Sequence, residues 1–324
     1  MATASQAPLL AVRGLRVSFV TPRASLTAVD GIDFDVAPGE VLGLAGESGS
    51  GKSITLRSIL RLIKPPGRIA GEVRWRGRDL LRLPEAAIRR VRGGEIGMIF
   101  QEPMTALNPV LSVGLQIREN LQEHGDLDAR GRRVRAIELL DHVGIPAAAA
   151  RVDDYPHQFS GGMRQRVMIT IALCCRPKLL IADEPTTALD VTIQAQVLDL
   201  IASMRRQLGM SVVLISHNLG VVAEYCDRVA LMYAGQVVET GPTRAVIGAP
   251  RHPYTQGLLR SMPILSDPDR PIRPIAGQVP DLIDLPPECR FLPRCPLAGD
   301  ECRQKVPLLP AGEARQARCV RIAA

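Results

Sequence analysis

Residues 46–53 read Gly46-Glu47-Ser48-Gly49-Ser50-Gly51-Lys52-Ser53. This octet fits the pattern G-x-x-x-x-G-K-[ST], which is typical of a loop that binds the phosphate groups of a nucleotide. Residues 40–45 before it predict a short buried strand, and residues 53–63 after it carry apolar residues at helical spacing. A strand, a glycine loop and a helix in this order direct backbone N–H groups and a helix N-terminus at phosphate. The alternative is a glycine-rich turn without a ligand.

Each residue type in this octet, called the P-loop below, has a chemical reason. Glycines let the chain adopt backbone conformations that are closed to residues with a Cβ, and they let it approach a ligand closely. We expect Lys52 to reach the β- and γ-phosphates and the Ser53 hydroxyl to bind Mg²⁺. The pattern therefore predicts a nucleoside triphosphate at Gly46–Ser53.

The composition limits the classes of protein to consider. The chain has 324 residues, which predicts one large α/β domain with an appendage. Its net charge of +7 fits a solvated arginine-rich surface, with nucleic acid or an anionic membrane as alternatives. Aromatic residues are only 3%, which argues against single-strand binding by stacking. Neither a membrane-spanning run nor a secretory signal is visible, so we expect a cytoplasmic protein.

Polar residues follow several predicted strands directly. Gln101, the pair Asp183-Glu184 and His217 each come after an apolar run. In open α/β sheets ligands bind at the carboxyl ends of the strands. Asp183 can hold Mg²⁺ through water, Glu184 is placed to polarise an attacking water, and His217 could hydrogen-bond a γ-phosphate oxygen. The alternatives are a surface amide, a structural carboxylate pair and an ordinary histidine.

Residues 104–158 predict helices inserted between strands, and a distinctive helix start follows them. Ser160 can cap a helix that runs from about Gly162 to Cys175. The glycines Gly161 and Gly162 leave N–H groups exposed there, which makes a second anion site, unless the motif is only a helix cap. Phe19 lies in a strand before the P-loop, and the sequence alone favours a core role over stacking on adenine.

These features occur together in one order, and with them the sequence resembles the ATP-binding subunit of ABC transporters. It looks most similar to the oligopeptide/dipeptide importer group, through residues 46–53, residues 101–109 and the tail residues 251–259. One departure is that Phe159 and Met163 flank Ser160-Gly161-Gly162, where the family usually has L-S-G-G-Q. The wider resemblance is carried by Gly46–Ser53, Gln101, Phe159–Met163, Leu179–Glu184, Ala188–Asp190 and His217.

The resemblance implies the fold class and the domain organisation. The expected fold is α/β, a P-loop NTPase of ABC type, with a mixed sheet core, an antiparallel β subdomain and a helical subdomain. We expect the ATP-binding domain at residues 1–250, with its helical subdomain at about 104–175. A proline- and cysteine-rich extension follows at residues 251–324.

The resemblance also implies the activity: hydrolysis of ATP that powers import of di- or oligopeptides or a related solute. Two subunits would pair head to tail, each ATP lying between one P-loop and the partner's Ser160-Gly161-Gly162. Gln101 would contact Mg²⁺, Asp190 would belong to the nucleotide site, and Phe19 would stack on adenine. A soluble ABC ATPase acting on nucleic acid or ribosomes is the alternative, which one P-loop and no heptad run disfavour.

The expected partners follow from that activity. They are a second ATPase subunit, identical or paralogous, two membrane permeases and, indirectly, an extracytoplasmic solute-binding protein, with no nucleic acid. The chain would lie peripherally on the cytoplasmic face of the plasma membrane.

Four of the seven cysteines lie in the extension, spaced x5, x6 and x16, namely Cys289, Cys295, Cys302 and Cys319. A disulfide framework is not expected in a cytoplasmic chain. Four thiolates can hold zinc or an iron–sulfur cluster, and spacing alone does not select between them. For some members of the importer group the resemblance implies a [4Fe–4S] cluster, with zinc and free thiols as the alternatives.

Overall fold

The computed structural model describes residues 7–20, 24–187, 189–262, 273–312 and 314–322. The chain forms two compact units, the first built from residues 1–81 and 215–324 and the second from residues 82–214. The predicted division at residue 250 stays a prediction. Ala188 and the prolines at 263, 268 and 271 lie outside the described residues. Within the described part of the chain, no helix is long and apolar enough to cross a membrane.

The first unit begins with an antiparallel sheet. Strand β1 (Leu10–Val20) lies inside it, where Leu10 pairs with Trp75 on one side and with Val36 on the other. Residues of β1 alternate between exposed and buried from Gly14 to Val17, as expected for a sheet with one covered face, whereas Leu10, Ala11 and Val12 are all buried. The strands of this sheet, in spatial order, are β2 (Ser25–Val36), β1 (Leu10–Val20), β4 (Gly67–Trp75) and β5 (Arg78–Asp79).

A second set of strands in the first unit carries the P-loop. Strand β3 (Val41–Ala45) is buried at all five residues and pairs in parallel with β9 (Arg228–Tyr233). A turn at Ala234-Gly235 then returns the chain antiparallel as β10 (Gln236–Pro242), so the pairing is mixed. The short strands β11 (Leu309–Pro310) and β12 (Gln316–Ala317) continue it beside β10. The helices of this unit are α1 (Lys52–Ile59), α9 (Leu219–Tyr225), α10 (Thr243–Gly248) and α11 (Pro253–Arg260).

The second unit combines parallel strands with a group of helices. Strand β6 (Ile96–Ile99) pairs in parallel with β7 (Leu179–Asp183), and β8 (Ser211–Ser216) lies on the other side of β7. An apolar cluster that includes Ile117, Leu140 and Val167 packs the helices together. The helices of this unit are α2 (Glu85–Val91), α3 (Pro103–Ala106), α4 (Val113–His124), α5 (Ala129–His142), α6 (Ala148–Arg151), α7 (Gly161–Leu173) and α8 (Val191–Leu208). The buried helical residues of the cluster come from α4, α5, α6 and α7.

One helix is shorter than its sequence pattern predicts. Apolar spacing continues to residue 63, but α1 ends at Ile59. The chain leaves the helix because Arg61 adopts a left-handed backbone, with φ of 54°, ahead of Pro65-Pro66. Proline disfavours helical conformation in the residue before it, so Pro65 bars a helix at Lys64, and the left-handed Arg61 interrupts it earlier.

His252 is a buried titratable group at the start of α11. It is 1% exposed, its Nδ1 accepts the Tyr254 N–H at 3.0 Å, and its own N–H donates to Glu239 at 2.9 Å. Phe291 packs on its ring, with 5.8 Å between centroids. Burial lowers the pKa of His252 to about 4, while a backbone hydrogen bond at Arg318 opposes the shift and the Arg318 charge adds to it.

We therefore expect the fold to lose stability in mild acid. His252 is protonated near pH 6.5 in the unfolded chain and only near pH 4 in the folded chain. The contribution of neutral His252 to folding stability is therefore complete above about pH 6.5. It is lost as the pH falls toward 4, by about 3 kcal/mol. Urea unfolding at pH 7.5, 5.5 and 4.5 measures this. His252→Asn keeps a side-chain acceptor and does not titrate, so its stability should fall less, and an equal fall would contradict the assignment.

Candidate functional site

The P-loop runs from the end of β3 to the start of α1, and two of its glycines are required sterically. Gly46 has φ of 145°, and a Cβ there would lie 2.1 Å from the Met232 carbonyl oxygen. Gly51 has φ of 97°, and a Cβ there would lie 2.6 Å from the Ala28 carbonyl oxygen. Both positions combine a left-handed backbone with a close approach, so only glycine fits.

Lys52 is held inside the loop. The residue is 5% exposed, and Nζ donates to the carbonyls of Gly46 and Glu47, both at 2.8 Å, and to Ser50 Oγ at 3.3 Å. Ser53 follows it in the first turn of α1 and is half-buried. A buried ammonium at a helix N-terminus creates a site of positive potential, which suits a phosphate chain.

Phe19 lies on β1 in the first unit, and its ring is half-buried. It pairs with Gly67 of β4, where an added Cβ would lie 2.8 Å from Phe19 Cε1. The ring therefore covers the Gly67 backbone. Its predicted contact with adenine stays a prediction.

In the second unit the structure brings Gln101 and Glu184 together. Glu184 Oε2 accepts hydrogen bonds from Gln101 Nε2 and from Thr187 Oγ1, both at 3.0 Å. Asp183, the last residue of β7, is fully buried. Sequence patterns did not single out Thr187, although its spacing of three residues from Glu184 would place it in the same turn.

Glu184 also has an unusual backbone, with φ of 47°. A left-handed conformation at a residue other than glycine costs about 1–2 kcal/mol, and such residues cluster at functional sites. The surrounding turn maintains it, since Thr187 N–H donates to the Glu184 carbonyl at 3.2 Å. The geometry therefore orients one carboxylate and leaves it half-buried at the carboxyl end of a strand.

The glycine motif before α7 forms a capped helix start. Ser160 is exposed, and its Oγ accepts the Met163 N–H at 3.4 Å. Phe159 is 3% exposed within the helical core, so a phenylalanine here serves packing. Gln165, also buried, donates to the Pro185 carbonyl at 2.5 Å and so links α7 to the turn after Glu184. The capping prediction is confirmed, and anion binding by Gly161 and Gly162 stays a prediction.

His217 and Asp190 are two other residues that the sequence predicts for the site. His217 follows β8 directly and is exposed. Asp190 caps α8, since its Oδ1 accepts the Ile193 N–H at 2.9 Å. The structure thus assigns Asp190 a helix-capping contact, and its role in a nucleotide site stays a prediction.

The four cysteines of the extension lie near one another. Cys289 N–H donates to the Cys302 carbonyl at 2.9 Å. Burial raises the pKa of the Cys289 thiol, and the nearby thiols of Cys295, Cys302 and Cys319 raise it further. The described residues nevertheless contain no group of three or more histidine, cysteine, aspartate or glutamate side chains arranged to hold a metal ion. The arrangement therefore does not support the predicted metal centre as it stands.

Comparison with family models gives two matches along the chain. Residues 29–187 match the model described as ABC transporter. Residues 238–302 match the model described as oligopeptide/dipeptide transporter, C-terminal region. The first match includes the P-loop, Gln101, Ser160 and Glu184, and the second includes Cys289, Cys295 and Cys302.

Relatives described as peptide import ATP-binding proteins align with nearly the whole chain. One from Brucella abortus, described as a peptide import ATP-binding protein, is 52% identical over 97% of this chain and 95% of its own length. Another with that description, from Brucella ovis, is 50% identical over 98% of both chains.

Solved structures agree with the fold. A dimeric ATP-binding cassette in a post-hydrolysis state, bound to ADP and Pi, aligns with a TM-score of 0.65 and 27% identity. It covers 72% of this chain and 99% of its own. The cbiO1 protein of Clostridium perfringens, part of the cbiONQ transporter complex, aligns with a TM-score of 0.63 and 27% identity. It covers 75% of this chain and 92% of its own. The predicted α/β fold class is confirmed.

Proposed function

Because this chain belongs to the ATP-binding proteins of ABC transporters, in the oligopeptide/dipeptide group, we propose which of its residues carry out the reaction. The protein is an ATPase that powers import of peptides through a membrane transporter. The observation that carries the residue assignment is the hydrogen-bonded Glu184 carboxylate at the end of β7, held by Gln101 and Thr187.

Phosphate binding belongs to the P-loop in this proposal. Lys52 exchanges its hydrogen bonds with the Gly46 and Glu47 carbonyls for phosphate oxygens, and the N-terminus of α1 adds positive potential. The residues proposed to hold the Mg²⁺ that accompanies ATP are Ser53, Gln101 and Asp183, whose oxygen atoms suit this cation. Bound there, Mg²⁺ would neutralise charge on the phosphates.

Hydrolysis depends on Glu184 and His217. The Glu184 carboxylate polarises the attacking water, because a carboxylate oxygen can accept a proton as the bond to phosphorus forms. Its hydrogen bond from Gln101 orients it before ATP arrives, so little reorganisation is needed during the reaction. His217 is proposed to contact a γ-phosphate oxygen, which its exposure after β8 permits.

The partners are proposed from the same chemistry. At the start of α7, where Ser160 is exposed and Gly161 and Gly162 are half-buried, backbone N–H groups would contact a second subunit's ATP, so two chains would share each nucleotide. Two permeases and, indirectly, a solute-binding protein complete the importer. The chain would lie on the cytoplasmic face of the membrane.

Uptake by the assembled importer tests this function. We expect membrane vesicles that carry this chain, its permeases and its solute-binding protein to accumulate a labelled dipeptide or oligopeptide with ATP and not with ADP. Arg303→Gln changes an exposed residue of the extension and should not alter uptake. Equal uptake with both nucleotides would contradict the proposal. ATP turnover stimulated by RNA or ribosomes, rather than by the solute-binding protein, would favour a soluble ABC ATPase.

A [4Fe–4S] cluster on Cys289, Cys295, Cys302 and Cys319 is a separate proposal, and the ATPase assignment does not depend on it. Its support is the family resemblance, since the described thiols lie near one another but are not arranged to hold a metal ion. We expect anaerobically purified protein to contain about four irons per chain with broad visible absorption. Cys295→Ser should lose both signals, whereas Cys226→Ser, outside the set, should keep them. Absence of iron in the parent protein would remove the proposal.

A further inference from the structure

A segment of the extension, Cys289–Cys295, lies against the P-loop. Arg294 of this segment is buried, with 5% of its side chain exposed, and it forms a forked ion pair with Glu47 of the loop. Nη1 donates to Glu47 Oε2 at 2.8 Å and Nη2 to Oε1 at 3.2 Å. Two parallel hydrogen bonds between charged groups restrain direction as well as distance, so the Glu47 side chain has little freedom.

The backbone at Glu47 is held as well. Its N–H donates to the Tyr254 hydroxyl oxygen at 2.9 Å, and Tyr254 is fully buried. The rings of Tyr233 and Phe291 pack on Tyr254, with centroids 4.7 Å and 5.6 Å away. Arg294 Nη1 also donates to the Tyr233 hydroxyl at 3.3 Å. The groups that hold the start of the P-loop are therefore themselves fixed by aromatic packing.

The same segment reaches the other end of the loop. Arg290, with 9% of its side chain exposed, pairs with Asp30 at 2.6 Å and donates to the Ala234 carbonyl. The next residue, Gly235, donates its N–H to the Ser50 carbonyl at 3.0 Å. Arg290 thus holds the turn on which the end of the P-loop rests.

We propose that the segment Cys289–Cys295 positions the P-loop for ATP, with Arg294 and Arg290 as positioning residues at its two ends. The inference rests on the nucleotide binding proposed above. A glycine-rich loop loses conformational freedom when it wraps around phosphate, and a loop ordered beforehand binds with less loss. Arg294 has a second effect, because it neutralises the Glu47 carboxylate, which otherwise repels the triphosphate.

Nucleotide affinity of the full-length chain tests the positioning role, with a fluorescent ATP analogue as the probe. Arg294→Gln removes the fork and leaves Glu47 charged, so its Kd should rise about tenfold, the effect of losing one charge-assisted pair. Adding Glu47→Gln removes the uncompensated charge and should bring the Kd back to about threefold above the parent value. Arg303→Gln, an exposed arginine of the same extension, is the matched control and should stay within about twofold of the parent.

The double variant separates positioning from general stability. If Arg294 served stability alone, Arg294→Gln would unfold at a lower temperature and its Kd would not rise. Adding Glu47→Gln would then give no recovery of affinity. A folded Arg294→Gln chain that binds within about twofold of the parent would overturn the inference. If this variant does not fold, Arg294→Lys decides instead, since it keeps the charge and loses the fork. A threefold or greater rise in Kd would then support the inference, and a smaller one would overturn it.

Binding by the parent chain separates a failure of the proposed nucleotide site from a failure of the positioning role. If the parent chain does not bind the ATP analogue at all, the proposed nucleotide site is wrong. If the parent chain binds and the Arg294 variants bind equally well, only the positioning role is wrong.

Discussion

Glu184→Gln is expected to bind ATP and to hydrolyse it at least about 100-fold more slowly than the parent chain, the loss typical of a missing general base. Glutamine keeps the size of the side chain, and its amide oxygen can still accept from Gln101 and Thr187. It has no carboxylate to polarise water, so binding and turnover should separate. Phosphate release by the assembled importer measures turnover, and the fluorescent analogue measures binding.

Glu224→Gln is the matched control for this variant. Glu224 is an exposed carboxylate on α9, so the same change of charge there should leave turnover unaltered. A shared nucleotide site adds a second readout: Glu184→Gln chains should remain paired in ATP, with the apparent mass on size exclusion twice that of the nucleotide-free chain. Turnover at the parent rate would show that Glu184 does not have the role proposed for it.

Lys52→Ala is expected to weaken ATP binding by about 100-fold or more, since each charge-assisted hydrogen bond contributes about 1.5–3 kcal/mol. The ammonium lies within the loop and is aimed by the Gly46 and Glu47 carbonyls. Alanine removes the charge and leaves the glycine-determined backbone intact, because Gly46 and Gly51 are constrained by their own close contacts. Titration with the ATP analogue gives the affinity directly.

Lys305→Ala provides the comparison for Lys52→Ala. Lys305 is exposed in the extension, so the loss of one positive charge there should change the Kd little at physiological salt. If Lys52→Ala bound ATP as tightly as the parent chain, the P-loop would not be the phosphate site. Gly46→Ala should also weaken binding, because a Cβ at this residue lies 2.1 Å from the Met232 carbonyl.

Local patterns predicted the parts of the fold whose causes lie within a few residues. The P-loop octet, the strand that ends on Asp183 and the helix capped by Ser160 are examples, since glycine conformation, side-chain period and capping act over one to four residues. The departure at Phe159 also has a clear cause in the structure, where this residue occupies a core position.

Contacts between distant residues could not be predicted in this way. Gln101 and Glu184 are separated by 83 residues, and their pairing depends on β6 and β7 lying side by side. The four cysteines show the same limit, since the family resemblance suggested a [4Fe–4S] cluster and the described thiols are not arranged to hold a metal ion. Distances between side chains depend on the packing that surrounds them.

The sequence by itself determined the chemistry of this protein: an octet that binds phosphate, carboxylates at a strand end and a family of ATP-driven importers. Only the tertiary structure decided that Arg294 is the ion-pair partner of Glu47, which lies 247 residues away in the sequence, and that Tyr254 holds the P-loop. The physical reason is the distance along the chain over which each effect acts. Propensity, turn chemistry and caps are properties of neighbouring residues, whereas a buried ion pair forms only where the packed core of the whole unit brings its two halves together.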